Sequence, residues 1–208
     1  MGVSMLAQRY DQGKRRKAAG IPWCSAVLTG INILVFLACY IWGDWLYGEG
    51  AFSVLYLIHN GEYYRLVTSM FLHADINHLV NNMLLLYFGG ELVEKSIGRI
   101  RYLILFFLSG ICGNLMSAGY ELSTGGFYES VGASGAVFGL IGGLLYLVIA
   151  KKGYGARISI QRMVLMIALS LYSGFQSPVV NNAAHLGGLL GGFLLTFMLC
   201  HIGKRFRI

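Results

Sequence analysis

The sequence predicts an all-α polytopic membrane protein: a six transmembrane helix bundle with N-terminus and C-terminus cytoplasmic and a long, partly membrane-embedded first outer loop. Composition is the first observation behind this reading. Of 208 residues, 56% are hydrophobic and 12% charged, with a mean hydropathy of +0.64, too little polar surface to cover a soluble globule of this size. The second is a series of stretches free of Asp, Glu, Lys and Arg, since a bilayer core of about 30 Å takes about 20 apolar residues per helix. The third is charge placement: fifteen of the sixteen basic residues fall on one side of the alternating spans.

Residues 1–20 form a basic cytoplasmic arm with Arg9, Lys14, Arg15, Arg16 and Lys17. The arm lacks the apolar core of a cleavable signal peptide and reads as a topology anchor. Residues 21–208 form the membrane domain, with spans at about 23–42, 77–94, 102–120, 131–150, 162–176 and 183–203. The second span reaches a usable length when its helix continues through Glu91 and Glu94 into the inner headgroup region. The last two share one uncharged run, divided by Ser177-Pro178 and Asn181-Asn182, which favour a turn. Lys95, Arg99 and Arg101 separate spans two and three; Lys151, Lys152, Arg157 and Arg162 separate four and five; Lys204, Arg205 and Arg207 follow six. By the positive-inside rule these loops are cytoplasmic, which leaves Arg65 as the one outer basic residue. The first outer loop, Asp44 to Asn77, carries Trp45, Tyr47, Phe52, Tyr56, Tyr63, Tyr64 and Phe71, an interfacial composition.

Several classes are excluded. The net charge of +7 forms no continuous basic face, so nucleic acid is not expected as a partner. Cys24, Cys39, Cys112 and Cys200 are too widely spaced for a disulfide framework or a metal cluster, and they read as small apolar residues. No His-Glu-x-x-His occurs, and neither a metal nor a cofactor is expected. The halves show no inverted repeat of the transporter kind.

Polar side chains inside spans are the informative exceptions, because hydrocarbon offers them no partner. Span two opens with His73, Asp75, Asn77, His78, Asn81 and Asn82, and helical spacing stacks His78 and Asn82 on one face. Span four opens with Gly132-Ala133-Ser134-Gly135, and span six with Asn181-Asn182-Ala183-Ala184-His185. All three spans start outside, so these groups lie at similar depths. A membrane-helix serine most often bonds a helix carbonyl, and Gly135, Gly139, Gly143, Gly188 and Gly192 first signal close helix packing. Close approach of spans four and six would also bring Ser134 to His185. A hydroxyl beside a neutral imidazole is an activated nucleophile, and His78, Asn82 and the Ser134 backbone N–H are donors for an oxyanion. No acid lies in the outer halves of spans four and six, which makes the pair a dyad.

Together these residues resemble the rhomboid intramembrane serine proteases. His73, His78 and Asn82 meet the family's His, four residues, His, three residues, Asn; Gly132, Ser134 and Gly135 meet Gly-x-Ser-Gly; Ala184, His185, Gly188 and Gly192 meet Ala-His-x-x-Gly-x-x-x-Gly. The resemblance implies Ser134 as nucleophile, His185 as general base and then acid, His78 and Asn82 as oxyanion stabilisers, and His73 as a supporting residue. Tyr64-Arg65 stands where the family often has Trp-Arg, Glu94 resembles its structural acid at the inner end of span two, and Phe138 stands where some members carry tyrosine under the catalytic histidine. The implied activity is endopeptidase cleavage of single-span transmembrane protein substrates near the outer face, with lateral entry between spans two and five. The lipid bilayer is the other partner. The alternative is a non-catalytic rhomboid-like module for membrane binding or quality control, against which both Ser134 and His185 argue. The minimal form suggests a bacterial plasma membrane with an extracytoplasmic active site.

Overall fold

The structure is a computed structural model that describes residues 21–43, 45–153, 158–175 and 180–205. The basic arm and the Ser177-Pro178 break lie outside the described residues. The described chain is helical. Its elements in order are α1 (Trp23–Trp42), α2 (Trp45–Gly50), a π-helical turn (Tyr56–Asn60), α3 (Arg65–Thr68), a 3-10 turn (Ser69–Phe71), α4 (Ile76–Leu84), a second π-helical turn (Leu85–Gly89), α5 (Gly90–Ile97), α6 (Arg99–Thr124), α7 (Ser134–Ile149), α8 (Ile160–Phe175) and α9 (Asn182–Arg205). Among the described residues the extended pairing is one isolated antiparallel bridge between Phe52 and Ser130.

Helix boundaries follow local chemistry. Asp75 caps α4 by accepting the His78 N–H at 2.9 Å. Gly98, at φ +87, lets the chain reverse between α5 and α6, and Gly125, at φ +72, ends α6 in the left-handed conformation that closes many helices. The π-helical turn joins α4 directly to α5, so helical backbone runs through Glu91 and Glu94 as the sequence predicts.

Among the described residues three helical segments, Trp23–Trp42, Arg99–Thr124 and Asn182–His201, are long and apolar enough to cross a membrane; Ser134–Ile149 and Ile160–Tyr172 are shorter and apolar. The bundle exposes large apolar side chains, among them Leu34, Tyr40 and Ile41 on α1 and Leu165, Leu169 and Tyr172 on α8. Water does not tolerate an apolar exterior of this extent, and the molecule is a helical membrane protein.

The core sits around α7, where Gly135–Leu144 and Tyr146–Val148 are buried. A helix apolar all round belongs at the centre of a bundle. Glycine sets how closely its neighbours pack. A side chain at Gly188 would meet the Gly135 carbonyl, one at Gly192 the Gly139 carbonyl and one at Gly142 the Leu189 carbonyl, so α7 and α9 touch backbone to backbone. Gly113 of α6 completes the contact, with the Ala184 carbonyl 2.8 Å from where its Cβ would stand. Small residues of this kind permit tight association between membrane helices.

Two polar anchors fix α1 and the first loop. Glu94 is buried and accepts hydrogen bonds from Cys24 N at 3.1 Å, Ser25 N at 2.9 Å and Ser25 Oγ at 3.0 Å, at the start of α1. Arg65 is buried too; it donates to Gly48 O at 2.7 Å and Ala51 O at 3.0 Å, pairs with Glu62, and lies 4.4 Å from the Tyr56 ring centroid. Arg65 thus organises the loop.

Candidate active site

Ser134 is the first residue of α7, where the leading N–H groups of a helix lack intrahelical partners. Its position depends on Gly132, whose φ of +131 a side chain rarely adopts and whose N–H is held by Ser69 O at 2.9 Å. A Cβ on Gly132 would stand 2.8 Å from His78 Nε2 and 3.7 Å from Ser134 Oγ. The imidazole of His78 and the hydroxyl of Ser134 therefore face each other across the space that glycine leaves open.

His185 comes from the first turn of α9 and is buried. Its ring stacks on Phe138, with centroids 4.2 Å apart and planes 10° from parallel. Phe138 lies four residues after Ser134, one turn along the same face of α7. The imidazole is thus held flat one turn below the serine, and the helix contact agrees: the Ala184 carbonyl is 3.7 Å from where a Cβ on Gly135 would stand. Among the described residues Ser134 and His185 make no hydrogen bond to each other, and His185 Nδ1 has no partner.

The α4 residues supply the opposite wall. Asn82 is buried with its amide nitrogen unpartnered, and His78 is half-buried. His73 is fully buried beneath His78, in an edge contact with ring centroids 5.1 Å apart, and its carbonyl accepts from Tyr47 Oη at 2.5 Å. Burial, and next the neighbouring His78, push the His73 imidazole down to about 4, so it is neutral near pH 7. The structure brings Ser134, His185, His78, Asn82, His73, Gly132 and Gly135 to one end of the bundle.

Of the asparagines that open spans two and six, Asn77 and Asn81 are exposed, whereas Asn181 is engaged inside. Sequence reasoning missed the partners of three groups here. Asn114 donates to Leu66 O at 2.9 Å and to Ser69 Oγ at 3.1 Å, tying α6 to the first loop. Glu121 is wholly buried. Its signal in the sequence is Ser117 four residues earlier, whose hydroxyl donates to it at 2.9 Å. Asn181 is the third.

The chain is similar to known proteins. Residues 60–202 match the Rhomboid domain. The chain is 33% identical over 199 residues to the rhomboid protease GluP of Bacillus subtilis (strain 168), covering 92% of this chain and 38% of that protein. It is 35% identical over 141 residues to YdcA of the same organism, covering 68% of this chain and 69% of YdcA. It is 38% identical over 151 residues to RHOMBOID-like protein 1 of Arabidopsis thaliana, covering 72% of this chain and 38% of that protein. The chain therefore spans little more than a third of the length of two of these relatives. With the domain matched over most of its length and YdcA covered over two thirds of its own, the chain belongs to the rhomboid family.

Proposed function

We propose that this protein is an intramembrane serine endopeptidase that cleaves single-span transmembrane proteins with a Ser134–His185 dyad. One observation carries the proposal: backbone contact between α7 and α9 at Gly135 and Gly188 sets a stacked, buried imidazole one helical turn from a hydroxyl at a helix tip. Catalytic hydrogen bonds are often long before substrate binds and tighten in the complex. His185 takes the Ser134 proton as the hydroxyl oxygen attacks the scissile carbonyl. The oxyanion accepts hydrogen bonds from His78, Asn82 and the Ser134 N–H, donors already turned toward the serine or free of protein partners. His185 then gives its proton to the leaving amine, and water hydrolyses the acyl-enzyme by the same route in reverse.

In this reading α1, α4 through α5, α6, α7, α8 and α9 make six crossings, with both chain ends cytoplasmic and the site below the outer face of a bacterial plasma membrane. The first loop packs over that end through the Phe52–Ser130 bridge. A regular helix hides its carbonyls, so substrates with glycine, proline or small residues near the cut unwind most easily. The test is cleavage of a reporter transmembrane segment in liposomes. The parent cuts it and Ser134→Ala does not; equal cleavage by folded Ser134→Ala contradicts the proposal.

A further inference from the structure

Asn181 precedes α9 and is the meeting point of three segments. Its Nδ2 donates to Ser117 Oγ of α6 at 2.6 Å and to Ser130 Oγ at 3.0 Å, on the strand-like segment leading into Gly132 and Ser134. Its Oδ1 accepts the Ala184 N–H at 2.9 Å, and its backbone carbonyl accepts the His185 N–H at 3.1 Å. Ser117 in turn donates to Glu121 Oε1 at 2.9 Å, and both are wholly buried. Ser130 is fixed from the other side by backbone hydrogen bonds to Phe52 at 2.8 and 2.9 Å.

Hydrogen-bond direction requires an amide at this position. The one hydroxyl proton of Ser117 goes to Glu121, so its oxygen can only accept, and the residue opposite must donate. The first turn of α9 needs an acceptor for its free N–H groups. An asparagine offers both on one planar head, donor edge toward the hydroxyls and acceptor edge toward the helix. A carboxylate would serve the helix but leave the hydroxyls without a donor.

We propose that Asn181 is a positioning residue that sets His185 against Ser134, locking the first turn of α9 to the Ser130 segment and to the Ser117–Glu121 pair of α6. The proposal rests on the dyad reading, and it assigns Asn181 no contact with substrate. A displacement on the order of 1 Å at a catalytic pair costs up to about a hundredfold in rate.

The test is Asn181→Asp, which keeps volume and the acceptor edge and removes the donor. Three readouts are taken on the full chain in detergent: the rate of labelling by a fluorophosphonate, kcat and KM for cleavage of a reporter transmembrane segment, and the ring resonances of His185 in protein carrying nitrogen-15 histidine, assigned by their loss in His185→Gln. The expected result is labelling slowed about tenfold or more, kcat lowered in parallel, KM within about twofold, and His185 resonances moved. A merely structural role would lower the folded fraction and leave the labelling rate per folded molecule unchanged. If Asn181→Asp does not fold, Ser117→Ala replaces it, removing the anchor but not the cap, with a smaller slowing and the same resonances moved. Labelling within about twofold of the parent with His185 resonances unmoved overturns the proposal. A folded parent that does not label contradicts the dyad reading instead, and the resonances still decide the role of Asn181.

Discussion

Replacing Gly188 with alanine probes the contact on which the site depends. The new Cβ would stand 2.8 Å from the Gly135 carbonyl carbon and 3.3 Å from its Cα, and closer still to the carbonyl oxygen. Carbon atoms pack comfortably at about 3.5–4.0 Å, so α7 and α9 must separate by about 1 Å. Overpacking of this kind costs about 1–3 kcal/mol. The same shift lifts His185 away from Ser134, with an expected loss on the order of tenfold to a hundredfold in rate. The assay pairs thermal unfolding in detergent with the labelling rate by a fluorophosphonate. Gly119→Ala on exposed α6 surface, where nothing lies within 4 Å of the new Cβ, is the control. It should be neutral or stabilising by about 0.5–1 kcal/mol. Parental labelling rate and unfolding temperature in Gly188→Ala would refute the argument that backbone contact sets the dyad.

Three further outcomes follow from the same geometry. Phe138→Leu removes the ring on which His185 stacks; it should cost about 0.5–1.5 kcal/mol and slow labelling more than it lowers the unfolding temperature. Glu94→Ala leaves Cys24 N, Ser25 N and Ser25 Oγ without their acceptor, so unfolding should cost at least about 3 kcal/mol less, read as a fall in detergent-melt temperature. Hydrogen bonds from Asn60 and then Arg65 hold the Glu62 carboxyl below its ordinary value. A depressed carboxyl contributes stability that is full above its unfolded pKa, about 4.3, and is lost as pH falls through the lower folded value. The melting temperature should therefore fall on acidification below about pH 5, with a shallower acid slope in Glu62→Gln.

How much of this was legible in the sequence depends on the kind of interaction. The helices were legible because apolar runs and charge placement are local signals, and the π-helical turn at Leu85–Gly89 extends the second run as expected. The candidate site residues stood out because Ser134, His185 and His78 are polar where hydrocarbon offers no partner. The Phe138 stack and the Glu94 anchor were expected from the family resemblance alone. The partners of Arg65, Asn114 and Asn181 were not legible, since each reaches across many residues of chain to groups with no motif of their own. Gly132 was read as part of a motif, but its physical reason, the His78 ring occupying the place of a side chain, appears only in three dimensions.

The most direct test of the central claim is labelling of the purified protein with a fluorophosphonate, followed by peptide mapping of the adduct. The account predicts one adduct, on Ser134, absent from Ser134→Ala and from His185→Ala. An adduct on another serine, or equal labelling of folded His185→Ala, would contradict a nucleophile activated by His185.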